Sequence, residues 1–325
     1  MKPSEVAKAL TICIASKQPA LVWGAPGVGK SQVAQQTAAA LNRVVHDVRA
    51  SLLDPVDLRG IPHIVGGKTA WAAPAFLPSS TVPAIILLDE LNRAPVLTQN
   101  GLFQLVLDRK LGEYVMPDEC EVIGCCNRES DGGGVQRMPQ ALANRFVHLT
   151  MEPDLEDWSK WAVQANIEPS VIAFLRFRPE LLHKFSQSEK AFPTPRSWEF
   201  VSRITAQKPG NGIELYLYAG SVGEGAAIEY SAFLRLFRSI PSIDAILLNP
   251  QTAPVPTDPA TLFAVSAALA RRATAASFAR IVQYLDRLPQ EYAVYGVQDS
   301  IRRDSALQST PAFTKWAIAN SSVVF

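Results

Sequence analysis

Apolar residues are arranged in two regimes along the chain. Up to about Thr150, short strand-like segments alternate with helix-like stretches; beyond it only helical spacing recurs. The strand candidates are Ala20-Leu21-Val22-Trp23, Val44 to Val48, Ala84-Ile85-Ile86-Leu87-Leu88 and Glu121-Val122-Ile123-Gly124-Cys125-Cys126. The third is apolar throughout, as expected of a strand covered on both faces in a parallel sheet. Ser31 to Leu41 and Thr98 to Leu107 read as helices between them, and Met1 to Lys17 as an amphipathic helix with Val6, Ala9, Leu10 and Cys13 on one side. Strands alternating with helices predict an α/β fold, a parallel sheet sandwiched by helices. Two inserts interrupt it. Ile61 to Val65 and Lys68 to Trp71 flank Gly66-Gly67 as a hairpin, and Arg109 to Met116 forms a weaker one turning near Gly112. Past Thr150, helices are predicted at 155–165, 170–177, 197–205, 225–237, 262–272 and 278–288. Pro241 to Pro259, rich in proline, reads as a long surface connection. Residues 1–150 therefore form one domain and 151–325 a second, all-α one.

Composition narrows the class. At about 100–200 residues per domain, 325 residues give two domains. With 48% hydrophobic and 19% charged residues, a sizeable core is available and the composition argues against disorder. Lys plus Arg number 31 and Asp plus Glu 30, a net charge of +1 that argues against blanket attraction to nucleic acid or anionic lipid. A local basic groove stays open. Cys13, Cys120, Cys125 and Cys126 lack zinc-ligand spacing and suit a reducing compartment. Glu5, Lys8 and Lys17 break the first segment as a signal peptide, and no apolar run approaches the ~20 residues that span a bilayer. The expectation is a soluble, cytoplasmic protein without a membrane partner.

The first chemistry follows the first strand. Gly24-Ala25-Pro26-Gly27-Val28-Gly29-Lys30-Ser31 matches the phosphate-loop pattern in full, with a strand before it and a helix after it. Glycines let backbone N–H groups turn inward onto phosphate oxygens, and the following helix aims its positive end at them. Lys30 brings a compact charge to the outer phosphates, and Ser31 a hydroxyl for Mg²⁺. ATP and Mg²⁺ are the expected ligands. Asp89-Glu90 closes the third strand, at the sheet end where ligands of open α/β folds sit. There Asp89 is suited to hold Mg²⁺ through water and Glu90 to orient or polarise the attacking water, which points from binding toward hydrolysis.

Asp89-Glu90-Leu91-Asn92-Arg93-Ala94 resembles the second nucleotide motif of the MoxR family of AAA+ ATPases. Ile123-Gly124-Cys125-Cys126-Asn127 resembles that family's sensor-1 strand. Met138-Pro139-Gln140-Ala141-Leu142-Ala143-Asn144-Arg145-Phe146 resembles the segment with its arginine finger, and Pro193-Thr194-Pro195-Arg196-Ser197 the start of its sensor-2 lid helix. The likeness covers roughly residues 5–205, and the hairpins fall where the family carries its helix-2 and pre-sensor-1 insertions. One departure is Cys125-Cys126-Asn127-Arg128, where the family commonly has Thr-Gln-Asn-Pro; Gly132-Gly133-Gly134 then makes the next loop flexible. The resemblance implies an AAA+ P-loop core at 1–150 and a helical lid with a C-terminal extension at 151–325. It implies that Glu90 activates water, Asn127 helps hold it, Arg196 reads the γ-phosphate, and Arg145 reaches a neighbouring subunit's site as the finger. A homo-oligomeric ring, most often a hexamer, follows from that finger. So does remodelling or activation of a client protein, usually one with a von Willebrand factor A (VWA) domain.

Three other functions share this core: a nucleic-acid motor or loader, a nucleotide-gated scaffold without catalysis, and a small-molecule kinase. Balanced charge, intact Glu90, Asn127 and Arg145, and the sensor segments weigh against each in turn. Arg93 either acts in trans or pairs with a neighbouring acid. Trp71, Phe76 and Tyr114 either face a central pore or pack within the hairpins. His46, His63, His148 and His183 stand alone as structural or surface residues, and Gly220 to Gly225 reads as a helix–helix turn.

Overall fold

The computed structural model describes every residue except 80–81, 132–133, 211, 240–241 and 321–325. The chain divides into two compact units, Met1–Asp154 and Leu155–Phe325. In the first, the elements run α1 (Pro3–Ala15), β1 (Ala20–Trp23), α2 (Lys30–Ala40), β2 (Val44–Arg49), α3 (Pro55–Arg59), β3 (Ile61–Val65) and β4 (Lys68–Ala72). They continue with β5 (Ala84–Asp89), α4 (Val96–Asp108), β6 (Lys110–Leu111), β7 (Tyr114–Val115), β8 (Cys120–Cys126), α5 (Gln140–Ala143) and β9 (Val147–Thr150).

Five strands form one sheet in the order β2-β5-β8-β1-β9, every pairing parallel. The two hairpins, β3–β4 and β6–β7, stand as separate antiparallel pairs. Alternate residues of β5 enter opposite cores. Ile85 and Leu87 pack with Val6, Leu10, Ala34 and Ala38 of α1 and α2. Ile86 and Leu88 pack with Leu102 and Leu105 of α4. Covering both faces explains the unbroken apolar run, since every position from Ala84 to Leu88 is buried. Because all strands are parallel, their C-terminal ends share one edge, and both nucleotide motifs leave the sheet there. Two features differ from the sequence reading. The sheet has a fifth strand, β9, where only four runs were legible. Glycines 132 and 133 of the expected flexible loop lie outside the described residues.

The second unit is helical: α6 (Leu155–Gln164), α7 (Pro169–Phe177), α8 (Pro195–Ala206), α9 (Glu214–Val222), α10 (Glu224–Ser239), α11 (Ile243–Leu248), α12 (Pro259–Arg271), α13 (Phe278–Leu285), α14 (Gln290–Arg303) and α15 (Pro311–Ala319). Phe174 lies at the centre of its larger core, with the rings of Trp198, Tyr230 and Phe233 at 5.4, 5.3 and 5.5 Å. A second core joins α11 to α15 through Ile246, Leu269, Tyr284, Val297 and Trp316. The expected surface connection from Pro241 to Pro259 is therefore partly structured: Ile246 of α11 is buried in that core, although Pro241 itself lies outside the described residues. The turn expected at Gly220–Gly225 does join two helices, α9 and α10, at Gly223.

Candidate nucleotide site

The loop from Gly24 to Gly29 leaves β1 between the ends of β8 and β9, where Trp23 is level with Cys126 and Thr150. Gly27 and Gly29 have φ of 76° and 95°, a left-handed backbone that a side chain would strain. Gly29 is also the N-cap of α2, so the turn and the helix start are one feature. Lys30 opens that helix and folds back over the loop. Its Nζ donates to the carbonyls of Gly24 and Ala25 at 2.9 and 3.0 Å and to Asn127 Oδ1 at 2.8 Å. Lys30 is 9% exposed, and these three acceptors are all neutral oxygens. It is thus positioned to exchange these oxygens for those of a phosphate.

Beside it, Ser31 Oγ donates to Asp89 Oδ2 at 2.8 Å, joining the two groups suited to a Mg²⁺ ion. A hydroxyl and a carboxylate at the mouth of a phosphate loop fit a hard, oxygen-seeking cation that keeps several waters. The other Asp89 oxygen accepts the Glu90 N–H at 2.9 Å. Glu90 has φ of 54°, a left-handed turn at the end of the strand. Both Glu90 oxygens are engaged: Oε2 accepts from Ser51 Oγ at 2.8 Å, and Oε1 pairs with Arg93 Nη1 at 3.2 Å. Of the two readings of Arg93, the geometry shows the pairing with a neighbouring acid.

Asn127 is held from behind. Asn92, fully buried, donates from Nδ2 to the Asn127 carbonyl at 2.7 Å and accepts the Asn127 N–H on Oδ1 at 3.2 Å. This two-point clamp fixes the backbone from which Asn127 reaches Lys30. Cys125 packs in one core with Ala25 and Val28 of the loop, and Cys126 in the core on the opposite face of the sheet. Burial pushes both thiols up, Cys126 to about 12, so they act here as neutral packing groups.

Residues 19–146 match the family described as AAA domain (dynein-related subfamily). The first unit has the AAA+ P-loop NTPase fold. Relatives of the AAA region include Midasin from Giardia intestinalis, 30% identical over 155 residues, and Midasin from Dictyostelium discoideum, 30% identical over 202 residues. These alignments take in 45% and 57% of this chain, and the chain spans only about 3% of the length of each relative. Among solved structures, a point mutant of RuvB from Thermotoga maritima aligns at 16% identity and a TM-score of 0.40, covering 83% of each chain. NtrX from Brucella abortus in complex with ADP aligns at 16% identity and a TM-score of 0.43, covering 98% of this chain and 67% of that one.

The AAA core thus brings together Lys30, Ser31, Asp89, Glu90 and Asn127. Arg145 stands apart, between α5 and the edge strand β9. It is exposed, with no hydrogen bond or ion pair from its guanidinium among the described residues. The concavity beside it is lined by Gln140, Ala141, Ala143, Asn144, Phe146 and His148. His148 is more than an isolated surface histidine: its Nδ1 accepts from Trp23 Nε1 at 2.8 Å, and its other nitrogen meets the Ala143 carbonyl at 2.8 Å. That links the Arg145 segment to the strand feeding the phosphate loop. Arg196 belongs to the second unit, exposed in the first turn of α8. Ser51 and Asn92 are the site residues that sequence reasoning missed. Asn92 sits inside the motif that follows β5, whereas nothing local marks Ser51, which meets Glu90 only through the β2–β5 pairing.

The hairpin aromatics have local partners. The Arg59 guanidinium lies 4.1 Å over the Trp71 ring, and the Tyr114 hydroxyl donates to the Pro78 carbonyl at 2.7 Å. Among the described residues no helix is long and apolar enough to cross a membrane.

Proposed function

We propose that the chain is a MoxR-type AAA+ ATPase that hydrolyses ATP with Mg²⁺, in a ring, to remodel or activate a protein client. The observation that carries this reading is the chain of contacts Asp89–Ser31 and Glu90–Ser51, beside Lys30–Asn127, at one edge of the sheet. A fold used only for binding does not need a second acid at this place.

In this reading Lys30 releases the Gly24 and Ala25 carbonyls to meet the β- and γ-phosphates. The amides from Gly27 to Ser31 receive the remaining phosphate oxygens. Ser31 and Asp89 would hold Mg²⁺, which when bound offsets charge on the transferring phosphoryl group. Asn127, freed from Lys30, turns to the γ-phosphate and the water. Glu90 must leave Ser51 or Arg93 to polarise that water, so its two contacts set a resting state in which hydrolysis waits. Arg145 supplies positive charge to the next subunit's site, and Arg196 reads the γ-phosphate from the lid. A client bearing a VWA domain, and the six-fold ring, rest on the MoxR resemblance. The AAA-domain match and the similarity to Midasin support the coarser reading, an ATP-driven AAA+ protein.

Glu90→Gln tests it. The variant should bind ATP within about twofold of the parent and lose phosphate release by about two orders of magnitude or more, the usual scale for removing a group that acts on the reacting water. Turnover equal to the parent's would remove Glu90 from the reaction. Isolating this variant with ATP and identifying what remains bound separates a protein client from nucleic acid.

A further inference from the structure

We propose that the helical unit binds a small inorganic oxyanion of the phosphate type in a basic cluster formed by Arg176, Arg302, Arg303 and Tyr295. On α14, Tyr295, Asp299, Arg302 and Arg303 fall at i, i+4, i+7 and i+8, one face of the helix. Arg176 comes from α7, its guanidinium 5.2 Å over the Tyr295 ring. Glu156 of α6 receives Arg176 at 2.6 Å and also pairs with Arg302. Arg303 pairs with Asp299 at 3.0 Å.

Charge and hydrogen bonding are both left incomplete by these contacts. Three guanidiniums meet two carboxylates, and one of those, Glu156, is half exposed. The arginine side chains are only 10, 18 and 21% exposed. Burial pushes the Arg302 pKa down, and the neighbouring Arg176 charge acts in the same direction. Among the described residues, four buried donors have no hydrogen-bond partner: Arg176 Nε, Arg302 Nη1, Arg303 Nη2 and the Tyr295 hydroxyl. A single acceptor of the cluster, Asp299 Oδ1, is left over. If the Tyr295 hydroxyl turned to that oxygen, one N–H on each of three arginines would still lack an acceptor. Buried polar groups are ordinarily paired, so the excess calls for a partner that only accepts. A tetrahedral oxyanion offers several acceptor oxygens together with negative charge, and suits guanidinium forks better than a single-atom anion does. The half-exposed Glu156 marks the side open to solvent. None of these residues belongs to the AAA core, so the proposal stands independently of the ATPase reading.

The test uses the full chain carrying Lys30→Ala, which removes the lysine of the phosphate loop as a competing anion ligand. Its thermal midpoint is followed against inorganic phosphate at constant ionic strength, with chloride as the balancing salt. A saturable rise is expected, and adding Arg302→Met should raise the apparent Kd at least about tenfold, the scale for losing a charge-assisted contact. Tyr295→Phe, which removes one oxygen and keeps the ring, should raise it severalfold and serves alone if Arg302→Met does not fold. A rise that never saturates, or an apparent Kd unchanged by the substitutions that fold, overturns the site.

Discussion

At the scale of single residues, the candidate site depends on who holds whom. Lys30, Asn127 and Asn92 form a relay in which a fully buried amide sets the backbone of the residue that touches the lysine. Asn92→Ala leaves the charged groups in place and removes only that two-point clamp. Losing two buried hydrogen bonds, at about 1 kcal/mol each, predicts a fall in kcat of roughly 10- to 30-fold, with the KM for ATP changed far less. Steady-state kinetics decide it: a loss confined to KM would mean that Asn92 shapes binding rather than the hydrolytic step. The phosphate loop was legible in the sequence because its chemistry is local. Eight consecutive residues supply glycine backbone, lysine and hydroxyl. Asp89 and Glu90 were legible for a similar reason, sitting at the end of an apolar strand. Ser51 was not, because its bond to Glu90 spans 39 positions of chain and depends on β2 pairing with β5. Nor does a sequence report that both Glu90 oxygens are occupied at rest.

At the scale of elements, most helices and the longer strands were legible, and several short or polar segments were missed. β9 is four residues long on a sheet edge, with Leu149 its one buried side chain, too little for an alternation to show. α14 carries Gly296 in its interior and is polar on balance, so its apolar stripe was hidden; Gly296 is there because a Cβ would stand 2.8 Å from Leu285 of α13. α15 is short and has one buried side chain, Trp316, so its start signals, Thr310 capping the Phe313 N–H and Pro311 at the first helical position, stood without a periodic face behind them. α8 shows what such a cap contributes. Thr194 accepts the Ser197 N–H at 3.0 Å, Ser197 Oγ accepts the Thr194 N–H at 2.8 Å, and both residues are buried. Thr194→Ala should lower the stability of the helical unit by about 1–2 kcal/mol, while Thr194→Ser should restore most of it. In urea that is a shift of roughly half a molar or more in the tryptophan-fluorescence midpoint. If alanine and serine behaved alike, the stabilisation would lie in packing around Thr194 rather than in its hydroxyl.

At the scale of the whole molecule, Arg145 stands out because its exposed guanidinium, beside a concavity and next to the edge strand of the sheet, meets no hydrogen-bond or ion-pair partner among the described residues. Its loss should therefore cost little stability, since an exposed, unpaired arginine contributes little. Its proposed role requires a second copy of the chain, related head to tail so that each site faces its neighbour's finger. Two inactive variants test this together. Lys30→Ala lacks the lysine of the phosphate loop and keeps the finger; Arg145→Ala lacks the finger and keeps the loop. Each alone should turn over poorly, by on the order of 10³-fold for the missing finger. In an equal mixture a working site needs an Arg145→Ala subunit next to a Lys30→Ala one. Random assembly provides that at about one site in four, so mixing should restore up to roughly a quarter of parental turnover. Phosphate release measured across mixing ratios should peak at equal amounts and vanish at either end. A flat response, with both variants shown to assemble, would mean that Arg145 serves its own subunit or none.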